Sequence, residues 1–164
     1  MKMKYNNYIV DTVRQGENLK YNILDIDGKL ILASDFLGNE YNGYRVVGIN
    51  NKFGYFDCFS NQFINLNAEY VGETAYTYSV VKFRIDKNSE IPVYDYTFFD
   101  TKTQKILPIS YKFAEVVGNN SRIVQSKNDQ WFVLENSGAF KMAKNYVDAN
   151  ALAKKIEKAN ITSL

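Results

Sequence analysis

Residues 53–66 read FGYFDCFSNQFINL, an aromatic and apolar run that meets an acid, a short turn-forming segment and then a second apolar run. Three other stretches follow the same order: NILDIDGKLIL at 22–32, DYTFFDTKTQKILPI at 95–109 and QWFVLENSGAFKM at 130–142. Apolar runs joined by turn pairs such as Asp-Gly, Ser-Asn or Ser-Gly are typical of β-hairpins. The sequence therefore predicts about four hairpin repeats within residues 20–145.

The spacing of these stretches supports a repeat. The acids that follow the first run are 32, 43 and 35 residues apart: Asp25, Asp57, Asp100 and Glu135. A second feature, a polar residue before two branched apolar ones, recurs after 34 and 43 residues, at 45–47, 79–81 and 122–124. Since both features share the interval of 43, we expect an insertion of about nine residues between Val81 and Tyr96, where the chain reads IDKNSEIPVYD.

The composition indicates a globular, β-rich chain. Of its 164 residues, 46% are hydrophobic and 15% aromatic, mostly 13 tyrosines and 11 phenylalanines, which favour half-buried pleated surfaces over helices. This length suits one domain with its own core. We therefore expect a single mainly-β domain over residues 1–164, with the hairpins forming a sandwich or a partly open barrel.

The carboxyl-terminal segment has a different pattern. From Asp148 the chain reads DANALAKKIEKAN, with apolar residues at helical spacing: Ala149, Leu152, Ala153, Ile156 and Ala159. Asp148 suits the N-cap position, and Lys158 suits the carboxyl end of a helix. The sequence predicts an amphipathic helix over 148–160 that packs on a sheet, with a partner or a membrane as the less favoured contact of its apolar stripe.

The stretch NKFGYFDCFSNQFINLNAEY at 51–70 resembles the bacterial WG repeat, in which Lys-Trp-Gly-Tyr-Ile-Asp precedes a polar turn, an apolar strand and a later Tyr. The positions that match in type are Lys52, Phe53, Gly54, Tyr55, Phe56, Asp57, Phe63, Ile64 and Tyr70. Phe53 stands where the family has Trp, and the other units are more degraded: Asp27-Gly28-Lys29 keeps the turn, and Gln130-Trp131 lacks the Gly. The resemblance implies a β-repeat module that works by interaction, without catalytic residues.

Asp57 and Cys58 are the first candidates for reactive chemistry. The chain contains no histidine, so Cys58 has no imidazole base, and the neighbouring carboxylate opposes formation of a thiolate. A carboxylate before a hairpin turn can instead accept hydrogen bonds from the N–H groups of the turn. We interpret Cys58 as a structural residue and Asp57 as the acid that ends a strand.

Other acids give only weak chemical signals. Asp25 and Asp27 in DIDGK superficially resemble a calcium loop, but the third ligand and the closing Glu are missing, which favours a turn. Asp95 and Asp100 could pair as two acids, although FFDTKTQK fits strand, turn and strand more simply. We expect no metal, no cofactor and no catalytic residue, and an enzyme that uses carboxylates alone is the least favoured hypothesis.

The sequence favours the cytoplasm and disfavours a membrane. A single cysteine excludes an intrachain disulfide, and neither a secretory leader nor a membrane-spanning run is apparent. The net charge of +2 comes from the two ends, because residues 21–140 carry 11 basic and 14 acidic residues. That distribution offers no broad cationic surface for a nucleic-acid backbone.

These exclusions lead to a protein-binding hypothesis. Tyrosine and arginine dominate binding hot spots, and eight of them near connecting segments are the predicted partner-binding residues: Tyr41, Tyr44, Arg45, Tyr76, Tyr78, Arg84, Tyr94 and Tyr96. Their alternative role is to cap β-layers. A makeup rich in Asn, Lys, Ile and Tyr suggests an AT-rich bacterial, phage or mobile-element genome, whose product could inhibit a host complex.

A single-stranded nucleic-acid binder is the alternative function. Aromatic side chains would stack on bases while five lysines near the carboxyl end hold phosphates: Lys141, Lys144, Lys154, Lys155 and Lys158. The same lysines equally fit the solvated face of a helix.

Overall fold

A computed structural model describes residues 1–86, 88 and 90–162. Its contacts divide the chain into two compact units, unit 1 (Met1–Ala75) and unit 2 (Tyr76–Leu164). The described part is mainly β, with sixteen strands in antiparallel sheets and one helix at the carboxyl end. The predicted fold class is confirmed in these respects, and the single domain over 1–164 stays a prediction.

Unit 1 contains two four-stranded antiparallel sheets in which each strand pairs with the next along the chain. The first sheet has β1 (Lys2–Lys4), β2 (Tyr8–Gln15), β3 (Asn18–Asp25) and β4 (Leu30–Ser34). The second has β5 (Phe36–Tyr41), β6 (Tyr44–Ile49), β7 (Lys52–Asp57) and β8 (Gln62–Ala68), and the short strand β9 (Tyr70–Val71) follows.

Unit 2 repeats this order of pairing. One sheet includes β10 (Tyr78–Arg84), β11 (Tyr94–Asp100) and β12 (Lys105–Ile106). The last sheet has β13 (Phe113–Val116), β14 (Ser121–Gln125), β15 (Trp131–Glu135) and β16 (Phe140–Ala143), and α1 (Tyr146–Thr162) follows it.

The four predicted hairpins correspond to the last two strands of each sheet: β3–β4, β7–β8, β11–β12 and β15–β16. The second recurrent feature lies on the preceding strands β6, β10 and β14. Its counterpart in the first sheet, which sequence spacing did not reveal, begins at Ile9, because Tyr8 pairs with Asp25 as Tyr44 pairs with Asp57, and Ile9 therefore corresponds to Arg45. The repeat therefore includes four strands, of which the sequence showed two clearly.

The predicted insertion is also confirmed. Residues 85–93 connect β10 to β11, whereas only Asn50 and Asn51 connect the corresponding strands β6 and β7. Both of these asparagines have positive φ, 52° and 63°, which the tight two-residue hairpin requires. We call residues 85–93 the inserted connection.

The core of unit 1 consists of side chains from both of its sheets. Its buried members are Tyr8, Val10, Ile23, Val47, Phe56 and Cys58. Tyr8 meets Phe56 edge to face, with ring centroids 5.1 Å apart. Middle strands contribute most of these residues because a middle strand is covered on both edges, so its side chains are the easiest to enclose.

In unit 2 the helix packs on the last sheet. Ala149, Ala153 and Ile156 form its buried face against Ile123 and Val133. Glu157 fixes the register of this contact, because its Oε1 accepts hydrogen bonds from Asn120 N and Ser121 Oγ, both at 2.9 Å. Small residues on the helix allow this close approach to the sheet, so the predicted packing role of the stripe is confirmed.

Two details of the predicted helix are wrong. The helix begins at Tyr146 rather than 148, because Asn145 is its N-cap: Asn145 Oδ1 accepts from Asp148 N at 2.9 Å. Asp148 instead turns back and accepts from Lys144 N at 2.9 Å, an arrangement related to a capping box. Ala159, expected on the packed stripe, is exposed.

Candidate functional site

Asp57 lies buried at the end of β7, where its carboxylate ties down the following turn. Oδ1 accepts hydrogen bonds from Phe59 N at 2.9 Å and from Ser60 N at 3.3 Å. Asp25 and Asp100 play the same part in their repeats, accepting from Lys29 N at 2.8 Å and Lys102 N at 2.9 Å. The interpretation of Asp57 as a turn-binding acid is confirmed, and the same role accounts for the acids at 25 and 100.

Cys58 has the properties of a structural cysteine. Its side chain is buried within the core of unit 1, where loss of solvation and the nearby Glu40 carboxylate raise the pKa of the thiol to about 12. A thiol with this pKa stays protonated at neutral pH and is a poor nucleophile. The predicted structural role is confirmed.

Two of the predicted partner-binding residues are not on the surface. Tyr44 and Arg45 are buried in β6, so the expectation that they are exposed to a partner near the connecting segments is wrong. Tyr44 meets Tyr55 edge to face at 6.1 Å. Tyr and Arg carry long apolar bodies as well as polar tips, which allows either type to be enclosed when partners are available.

The partners of Arg45 come from distant parts of unit 1. Arg45 Nε donates to Gly38 O at 2.7 Å, and Nη1 donates to the Tyr8 hydroxyl at 3.3 Å. That hydroxyl donates to Glu40 Oε1 at 3.2 Å, and the guanidinium lies 5.2 Å from the centroid of the Tyr5 ring. Burial also raises the pKa of Tyr8 well above its usual range. This network holds β2, β5 and β6 together and leaves Arg45 unavailable to an external partner.

The other predicted residues differ in exposure. Tyr41 at the end of β5 and Tyr76 are exposed, whereas the four remaining residues are partly buried in β10 and β11: Tyr78, Arg84, Tyr94 and Tyr96. Lys82 Nζ lies 5.7 Å and 5.1 Å from the ring centroids of Tyr94 and Tyr96. The structure thus brings Arg84, Tyr94 and Tyr96 together at the loop end of the β10–β11 hairpin.

That end carries an apolar surface that sequence reasoning missed. The inserted connection exposes Ile85, Ile91 and Val93, at 55%, 77% and 50%. Ile85 N donates to Val93 O at 2.9 Å, which extends the antiparallel pairing past Arg84 and Tyr94 and places the two aliphatic residues opposite each other. Single exposed apolar side chains are ordinary, whereas neighbouring ones that form a patch mark a candidate contact surface.

Comparison with known proteins does not identify a relative. No family model matches the sequence, and no curated protein matches it significantly.

A signal for the apolar surface was present in the sequence. Within IDKNSEIPVYD, the aliphatic residues Ile85, Ile91 and Val93 have no counterpart in the shorter repeats, whose cores close without them. Residues added to a complete repeat are not needed for its packing, so apolar ones among them indicate a surface role.

The five lysines predicted for nucleic acid lie on three different elements. Lys141 is on β16, Lys144 precedes the helix, and the other three are on α1: Lys154, Lys155 and Lys158; all five are exposed. Lys112 and Lys127, in the same unit, form ion pairs with Asp129 and Asp95.

The described residues contain no group of three or more His, Cys, Asp or Glu side chains placed to hold a metal ion. Over the same residues, no helix is both long enough and apolar enough to cross a membrane.

Proposed function

We propose that this chain is a non-enzymatic, cytoplasmic protein-binding module, and that a partner protein docks on the inserted connection and the adjoining ends of β10 and β11. One observation carries the proposal: Ile85, Ile91 and Val93 are at least half exposed on an insertion that the repeat itself does not need. Arg84, Tyr94 and Tyr96, which were predicted from the sequence, flank these three residues.

The chemistry of this surface suits a protein partner. Burying a whole aliphatic side chain stabilises a complex by about 1.5–3 kcal/mol, so three that are already half exposed or more offer about 3–5 kcal/mol in total. Tyr94 and Tyr96 add rigid rings, and Arg84 adds a charged donor, which is the composition of a hot-spot centre with a polar rim. Ile91 and Val93 offer nothing to a phosphate backbone.

Membership of the WG-repeat family is part of the same proposal. Its support is Gly54, the glycine of the motif, because a Cβ there would lie 2.3 Å from Ile64 O and 3.1 Å from Leu66 N on the next strand. The β7–β8 register shifts between Phe53 and Tyr55, so the glycine occupies a bulge where backbones approach closely. Inhibition of a host complex by a phage or mobile-element product is the biological role we propose for the binding.

The test is affinity capture from bacterial lysate with three forms of the full chain. Wild type and Leu30→Ser should recover the same stoichiometric partner, and the double variant Ile91→Ser/Val93→Ser should lose it. Leu30 is a matched control because it is a 55% exposed aliphatic residue in unit 1. Capture that persists in the double variant, or that is absent with wild type, would remove the proposal.

A further inference from the structure

Unit 1 has a cavity of about 440 Å³ whose walls include three aromatic side chains. Phe36 on β5, Phe53 on β7 and Tyr70 on β9 line it, together with Val46 and the carboxylate of Glu73. Phe36 and Tyr70 remain 49% and 48% exposed, so solvent reaches both side chains. The volume lies within the range of small-molecule sites, about 300–1,000 Å³.

A glycine on the strand between them, Gly48 on β6, leaves room for two of the aromatic walls. A Cβ at Gly48 would lie 2.7 Å from Phe53 Cε1 and 3.1 Å from Phe36 Cβ. The two rings therefore occupy space that any other residue at 48 would fill, and they meet edge to face, with centroids 6.1 Å apart and planes 77° apart. The two rings at this edge of the cavity therefore stand nearly at right angles rather than in a flat stack.

The charge of the cavity is negative. Glu73 is exposed, and among the described residues it has no ion pair. The basic residues on the strands that line the cavity are engaged elsewhere: Arg45 is buried with Gly38 O and Tyr8, and Lys52 pairs with Glu69. A cavity with π faces and one uncompensated carboxylate complements a cation.

The geometry points to a binding site for an alkylated ammonium group, such as the trimethylammonium end of choline or of a trimethylated lysine side chain. Such a cation is weakly hydrated, so it enters an apolar cavity at low desolvation cost, and its charge is spread over methyl groups that fit against aromatic faces. Glu73 supplies the counter-charge at the rim. The site is separate from the inserted connection, because every residue that lines it belongs to unit 1.

Titration of the full chain with choline, followed by nitrogen–proton correlation NMR, tests this assignment. We expect saturable shifts at Gly38, Val46 and Val71. The tert-butyl analogue, in which carbon replaces the quaternary nitrogen, should bind at least about tenfold more weakly, because its shape is the same but its charge is gone. A peptide with one trimethyl-lysine, beside its unmethylated form, shows whether the group comes from a small molecule or a protein: tighter binding than choline indicates a protein.

Variants separate a cation site from a merely apolar one. Phe36→Leu and Tyr70→Leu should each weaken choline binding about two- to fivefold, and Glu73→Gln should weaken choline without affecting the neutral analogue. Phe59→Leu is the control, since Phe59 is exposed in the same unit and lies outside this cavity. Far-UV circular dichroism confirms that each variant is folded. The assignment is overturned if choline and its neutral analogue bind equally. It is also overturned if no NMR shift occurs at a choline concentration 50-fold above the millimolar dissociation constant that we expect.

Discussion

Replacement of Asp57 by alanine probes the structural reason for the repeated acid. Asp57 is buried, and its Oδ1 accepts two backbone N–H groups, at 2.9 and 3.3 Å. A hydrogen bond to a charged acceptor contributes about 1.5–3 kcal/mol. Asp57→Ala removes one short and one long bond, and water then hydrogen-bonds in part to the freed N–H groups. We therefore expect the free energy of unfolding to fall by about 2–3 kcal/mol. Asp57→Asn keeps an acceptor oxygen and should lose only about 0.5–1 kcal/mol.

Asp25 and Asp100 are matched controls within the same chain. Each ends its strand in the same way, but each is only partly buried and accepts a hydrogen bond from one turn N–H, that of Lys29 or Lys102. Alanine at either position should cost about 0.5–1 kcal/mol. Urea unfolding followed by far-UV circular dichroism measures all four variants. A loss at Asp57 no larger than at Asp25 would refute the reasoning, and so would intact stability with partner binding abolished.

Three further predictions concern unit 1. Gly54→Ala should lower the free energy of unfolding, measured in thermal melts, by about 2–3 kcal/mol, because the new Cβ meets the β8 backbone. The control Gly38→Ala should cost under about 1 kcal/mol, because its new Cβ would lie 3.4 Å from the nearest atom. Equal costs would contradict the claim that Gly54 occupies a bulge. Cys58 should resist alkylation at pH 8 in the native state and react on unfolding in urea, since burial raises its pKa to about 12, and rapid native labelling would show the thiol to be accessible. Lys20 and the backbone N–H of Asn50 hold the pKa of the Asp35 carboxyl below its usual range. The ionised carboxylate therefore stabilises the fold at pH values above the pKa that it has in the unfolded chain, and this contribution is lost as the pH falls below about 4. The partly exposed Lys20–Asp35 pair contributes under about 1 kcal/mol to the free energy of unfolding. Asp35→Asn should therefore reduce the fall of this free energy between neutral and acidic pH. The same pH dependence in wild type and variant would count against a stabilising role of the pair.

The sequence was informative where structure depends on local chemistry. Turn residues and acids at a steady interval were enough to find the four hairpins and the insertion, because both signals act within a few residues. The helix was found from its apolar spacing, but its start was misplaced because Asn145 and Asp148 are both capping residue types. The two are distinguished only by their partners: Asn145 accepts from an N–H inside the helix, whereas Asp148 accepts from an N–H that precedes it.

Burial of individual aromatic and basic residues could not be predicted in this way. Arg45 is enclosed because Tyr5, Tyr8 and Gly38 O reach it, and these groups are 7 to 40 residues away in the chain. The cavity between Phe36, Phe53 and Tyr70 similarly needs three strands to be brought together. Residue type suggested that tyrosines bind a partner, but exposure, which decides the matter, depends on contacts that the sequence does not display.

Hydrogen–deuterium exchange of the chain, with and without the partner recovered by affinity capture, tests the central claim most directly. We expect new protection in peptides that contain Ile91, Val93, Tyr94 and Tyr96, with exchange elsewhere in unit 2 nearly unchanged. Protection centred instead on the lysine-bearing face of α1, with no change around Val93, would contradict the claim that the inserted connection is the docking surface.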